Sequence, residues 1–100
     1  MVNKKRISET LMKFLDLHDV LMRSSKIKTD ARKKIKLRDA WNDLWESNIQ
    51  LAENELEKSV YRSYYGMITK KIFENLSLED VSYFITQLIY NQLNSFENWR

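Results

Sequence analysis

Proline is absent from this chain of 100 residues, and glycine occurs once, as Gly66. β-Turns and hairpins draw on these two residues for fixed or positive φ, whereas Leu, Lys, Glu, Met and Gln favour helix. So little punctuation predicts an all-α protein. Twelve aromatic residues within a 43% hydrophobic content suffice for one core in a single domain spanning residues 1–100, without metal or disulfide staples. Cysteine is absent too, which rules out a disulfide framework and any thiolate ligand, and fits a reducing compartment. Lys13 and Asp16 interrupt what would be the apolar core of a leader, so a cytoplasmic protein is expected. The Lys/Asn/Ile-rich composition suits an AT-rich genome such as that of a phage or plasmid.

Hydrophobic spacing divides the chain into three helical segments. The first is predicted over residues 8–23, with Ser8 as N-cap and Leu11, Phe14, Leu15, His18, Leu21 and Met22 on one face. Residues 24–29 read as a short connection, with Thr29 and Asp30 as fresh N-caps, so the first two segments form a hairpin. The second segment, residues 30–73, shows no convincing stop. At about 100° per residue, Ala31, Ile35, Trp41, Trp45, Ile49, Ala52, Leu56, Val60, Tyr64 and Met67 share one arc. An unbroken helix of this length would run about 66 Å, twice the ~34 Å expected across a compact globule of this size. It therefore either bends, with the break expected at Glu46-Ser47-Asn48, or pairs with a second copy. The third segment, residues 78–97, is announced by Ser77 as N-cap, Asp80 three positions on, and a staple between Leu76 and Val81. Its apolar face is Val81, Phe84, Ile85, Leu88, Ile89, Leu93 and Phe96, running out to Trp99.

Few residues offer chemistry, and no cofactor, metal or small-molecule substrate is expected. The only histidine, His18, lies on an apolar face with no Glu at a metal-binding offset, and reads as a hydrogen-bonded group in a helix interface. No histidine is in view to activate a Ser or Thr nucleophile. Glu53 and Glu57, four apart in AENELEK, have the spacing to hold a divalent cation or act as an acid/base pair. Beside Lys58 and at the edge of the apolar stripe, they read more simply as a solvated face. A non-enzymatic protein is expected.

The stretch VYRSYYGMI, residues 60–68, resembles the RxYYA helix of HEPN-type helical domains over its nine residues. Nuclease members of that group carry an Arg–His motif on a later helix. No histidine follows His18 here, so the resemblance implies no nuclease activity.

Two surfaces ask for a partner. Residues 81–96, VSYFITQLIYNQLNSF, contain no charge in a chain that is 31% charged, although exposed helix faces ordinarily carry Lys and Glu. Tyr83, Gln87, Tyr90 and Asn94 on the side away from the core, together with Trp99 at the end of the helix, are expected to meet another protein. On the second segment, Tyr61, Tyr65, Ile68 and Ile72 form a further apolar side at helical spacing, which asks for a second neighbour. The expected architecture is thus all-α: a helical hairpin plus a third helix, three or four helices in all, with a long central helix and the bundle completed by homodimerisation.

The other surface is basic. Residues 1–40 hold twelve Lys/Arg against five Asp/Glu, net +7, and residues 41–100 hold five against nine, net −4. Seven of the bases lie in KIKTDARKKIKLR, residues 26–38. Placed on a helix from Asp30, Lys34 and Arg38 point toward the apolar stripe and are expected to pair with Asp16 and Asp19. Arg23, Lys26, Lys28, Arg32, Lys33 and Lys36 face outward, where cations oppose the helix dipole, and form a candidate site for an anionic partner. The function expected first is protein binding, as a regulator, inhibitor or assembly factor; the alternative is nucleic-acid binding through residues 23–38.

Overall fold

A computed structural model describes residues 4–98, with side chains from 5 to 95. The described residues form four helices and no strand: α1 (Lys4–Arg23), α2 (Asp30–Ile49), α3 (Glu55–Asn75) and α4 (Leu78–Asn98). Among them no helix is long and apolar enough to cross a membrane.

Helix α1 starts before Ser8, because Ile7 extends the apolar face of Leu11, Phe14 and Leu21 and is itself buried. Tertiary packing outweighs the capping signal there. Thr29 caps α2 as its spacing suggested, its Oγ1 accepting from the Arg32 N–H at 3.2 Å. Ser77 likewise starts α4, accepting from the Asp80 N–H at 3.2 Å, while Leu76 rests partly buried on the core near fully buried Val81.

The long central helix is not continuous. It breaks over residues 50–54, later than the expected Glu46–Asn48 stretch. After α2 the chain tightens into i→i+3 bonds, Leu51 N–H to the Asn48 carbonyl and Ala52 N–H to that of Ile49, both at 3.0 Å. Asn54, in extended backbone, then caps α3 by accepting from the Glu57 N–H at 2.8 Å. Glu57 reaches back in turn, its Oε2 accepting from the Glu53 N–H at 3.3 Å. The first bond satisfies one of the open donors of α3, and the second ties down the residue before the cap, one position earlier than in a capping box. The molecule measures 42 × 25 × 18 Å, well short of the length an unbroken helix would need.

The break lets α3 fold back antiparallel on α2. Trp45 stacks on Tyr65, with ring centroids 3.6 Å apart; Trp41 Nε1 donates to Thr69 Oγ1 at 2.8 Å; and Lys34 Nζ donates to the Leu76 carbonyl at 2.6 Å. Helix α1 is also antiparallel to α2, as Thr10 meets Asn48, Phe14 meets Trp41 and Lys33 meets Met22. Helix α4 covers α1 and α2. The core centres on Trp41, fully buried with Leu11, Leu37, Val81, Ile85 and Ile89 around it.

Folding back reverses which side of α3 is buried. Ile72 is buried, and Tyr65 and Ile68 pack against the core, so the side expected to await a second neighbour is the one α2 covers. Leu56, Val60, Tyr64 and Met67, assigned to the core by continuing the α2 stripe, are 76%, 58%, 54% and 71% exposed. Ile35, on the same arc, is exposed as well. The phase of an apolar stripe does not survive a helix break, because the intervening turn resets the rotation about the axis.

One buried polar contact resolves itself by amide orientation. Thr10 Oγ1 lies 2.7 Å from both the Ile7 carbonyl and Asn48 Oδ1, but its single proton serves one of them. With the amide turned so that Nδ2 faces Thr10, the amide donates to the hydroxyl and the hydroxyl donates to Ile7. The otherwise unpaired Asn48 Nδ2 then has an acceptor.

Candidate interaction surfaces

Helix α4 separates its residues cleanly. Val81, Ile85 and Ile89, at i, i+4 and i+8, are fully buried, which turns Tyr83, Phe84, Gln87, Tyr90, Asn91 and Asn94 outward. Tyr83 is 70% and Tyr90 50% exposed, and Phe84, expected inside, is 41% exposed. The uncharged run therefore supplies the core with one side and presents hydrogen-bonding and aromatic groups to solvent with the other. Trp99, the last position proposed for this helix, lies outside the described residues, and Phe96 outside those described with side chains.

Between α1 and the start of α4 is an open cleft of about 580 Å³, walled by His18, Glu79, Asp80, Ser82, Tyr83 and Gln87. In it His18 Nε2 lies 2.7 Å from Ser82 Oγ. No local pattern signals a histidine beside a hydroxyl, since the two are 64 positions apart. Burial pushes the imidazole pKa below its ordinary value of 6.5, against the opposing pull of the Asp19 charge, so the ring is neutral near pH 7. A neutral His beside a Ser is the pairing of a base with a nucleophile, but among the described residues neither an orienting carboxylate nor oxyanion donors accompany it. Asp19 is turned to Arg23, at 3.1 Å. Ser82 sits within α4, where backbone N–H groups are spent on helical bonds and cannot converge on an oxyanion. The pair acts as a hydrogen bond joining α1 to α4.

Glu57 Oε1 accepts from the Tyr61 hydroxyl at 3.1 Å while Oε2 serves Glu53 N–H, so this carboxylate helps hold the start of α3 and keeps further lone pairs for a second donor. Burial, and then the bond to Glu57, raise the Tyr61 pKa; Tyr65, more deeply placed, is pushed up by burial to about 12. Among the described residues no three His, Cys, Asp or Glu side chains cluster as metal ligands.

The basic segment divides differently from its expected partition. Lys33, expected outward, turns back so that Nζ donates to the Met22 carbonyl at 3.0 Å, placing a cation at the negative end of α1. Lys34 bonds the Leu76 carbonyl rather than Asp16 or Asp19, because the end of α3 lies within its reach. Arg38 is exposed and, among the described residues, forms no ion pair with either aspartate. Arg23 is exposed but paired with Asp19. Lys26, Lys28, Arg32 and Lys36 remain exposed at the α1–α2 corner. Compared with family models, curated proteins and solved structures, the chain matches none.

Proposed function

We propose that this protein works by binding another protein through the outer face of α4, as a homodimer, and that it performs no catalysis itself. The observation that carries the reading is the face of Tyr83, Phe84, Gln87, Tyr90 and Asn94, exposed on a helix without charge from Val81 to Ser95. Water-facing helices are ordinarily studded with Lys and Glu, whereas interface centres are depleted in charge and enriched in Tyr. A regulator, inhibitor or assembly factor needs nothing more than such a surface. The test compares proteins captured from the native host by the wild-type chain and by the Tyr83→Ala/Tyr90→Ala variant. Both side chains are exposed, so circular dichroism is expected to be unchanged. A specific partner held by the wild type and lost from the variant supports the reading, and equal retention by both refutes it.

The exposed cations Lys26, Lys28, Arg32 and Lys36 support a second reading, nucleic-acid binding at the α1–α2 corner. It requires affinity for duplex or single strands that falls steeply with salt and with Arg32→Glu or Lys36→Glu. Absence of any binding at low salt eliminates it.

A further inference from the structure

Helix α3 rests chiefly on α2, and its outer side carries the apolar row Leu56, Val60, Tyr64 and Met67. At these exposures the four residues show roughly 500 Å² to solvent, comparable to the largest patch on a typical monomer. We infer that this face binds a second copy of the chain, with the two α3 helices antiparallel about a twofold axis near Tyr64. The inference rests on the homodimer reading above and assigns the self-contact to α3, leaving α4 free for another protein.

The charges choose the occupant. One flank of the row reads Glu57, Tyr64, Lys71 at successive seven-residue steps, which keeps all three on the same edge of the helix. In an antiparallel twofold pair that edge meets itself in reverse, so Glu57 faces Lys71 of the second copy and Tyr64 faces Tyr64. Both ion pairs form at once. A parallel arrangement would set this edge against the opposite edge of the second copy, where Ser59, Gly66 and Lys70 stand, and would form neither ion pair. Lys70 and Lys71 are exposed and, among the described residues, carry no ion pair, so a cation is available at that end. The opposite flank holds Ser59 and Gly66, where a Cβ would meet nothing within 4 Å, so another helix can approach without a bulky side chain in the way.

Area sets the strength. Two such faces bury about 1,000 Å² in total, the lower bound for a specific interface, and so call for micromolar rather than nanomolar association. Self-pairing is then set by concentration, and a chain below that range is a monomer with the α3 row open.

The test is sedimentation or light scattering of the full chain from ~5 to ~500 µM. The wild type is expected to pass from the 12.1 kDa chain mass to twice that value. Met67→Asp is expected to weaken association by at least about 30-fold. Glu57→Lys and Lys71→Glu each place like charges across the interface and are expected to be monomeric alone, yet to associate when mixed. Glu57 also helps cap α3, so the mixing result, rather than the behaviour of Glu57→Lys alone, decides the point. A wild type that stays at 12.1 kDa throughout overturns both the homodimer and this interface. A dimer unaffected by Met67→Asp, or charge variants that associate no better together than apart, overturns the α3 interface alone.

Discussion

Replacing Ile72 or Met67 by alanine separates the two placements of α3 by their energies. Ile72 is 5% exposed within the core cluster, whereas Met67 is 71% exposed. Truncating a buried Ile loses its transfer free energy and leaves a void that neighbours fill only in part, at about 2–5 kcal/mol. Phe73, Leu76 and Leu37 belong to the same core, and α3 is held mainly by α2, so some collapse is available. A value of about 3 kcal/mol is expected, equivalent to a fall in Tm of about 15 °C for a domain of this size. Met67→Ala removes a side chain already in water and is expected to change stability by less than about 0.5 kcal/mol. Urea unfolding followed by circular dichroism measures both, at about 1 µM chain so that self-association adds nothing to the folded state. A continuous apolar stripe from α2 through α3 demands the reverse order. Met67→Ala costing as much as Ile72→Ala would refute the fold-back of α3 and the exposed row with it.

Thr69→Val removes the acceptor for buried Trp41 Nε1 and is expected to cost about 2 kcal/mol, the penalty of leaving a buried donor unpaired. In a Trp41→Phe background that cost should disappear, and an undiminished cost there would mean that the hydrogen bond is not its source. Asn54→Ala deletes the α3 N-cap and is expected to lose about 1 kcal/mol in the same urea assay, while Asn54→Asp keeps it; equal loss in both variants would count against the capping role. His18 titrates below its ordinary value because it is half-buried between α1 and α4, with Ser82 and the acidic Glu79 and Asp80 across the cleft and Asp19 beside it. The unfolded chain therefore takes up the proton first on acidification, so the contribution of neutral His18 is complete above pH 6.5 and is lost as pH falls through the folded value. The stability difference between wild type and His18→Gln should shrink from pH 7 toward about pH 5, and a difference that grows on acidification would reverse the assignment.

The sequence made the helix ends with standard caps legible. Thr29 and Ser77 stand where side-chain oxygens satisfy the first N–H groups, and both junctions fell at the expected positions. The same chemistry at Asn54 is masked. Asn54-x-x-Glu57 is a capping signature, but apolar residues continue in phase on both sides of it, and Glu53 and Glu57 also have the spacing of a carboxylate pair. A stripe that stays in phase by coincidence looks the same as an unbroken helix. From that one masked cap follows the wrong core face for α3. On α4 the absence of charge pointed to an unusual outer side, and the spacing of Val81, Ile85 and Ile89 supplied the buried one. Lys33 and Lys34 could not be assigned from rotation alone, since what each bonds is a carbonyl brought near by the ends of α1 and α3. His18 and Ser82 meet only because α4 returns across α1.

Lys34 has a consequence for how the molecule opens. Helix α3 has one principal neighbour, and such an element is the natural candidate for partial unfolding, in which one segment leaves while the rest stays native. Its attachments are uneven. Near its beginning, the Arg62–Glu46 pair at 3.0 Å is exposed and weak, whereas at its far end Lys34 holds the Leu76 carbonyl at the step into α4. Release should therefore begin at the Asn54 end and stop at the lysine, so that α3 swings as a flap hinged at Leu76 while α1, α2 and α4 keep their contacts. Such an opening would break the Trp45–Tyr65 stack and the bond from Trp41 Nε1 to Thr69, both of which join α2 to α3.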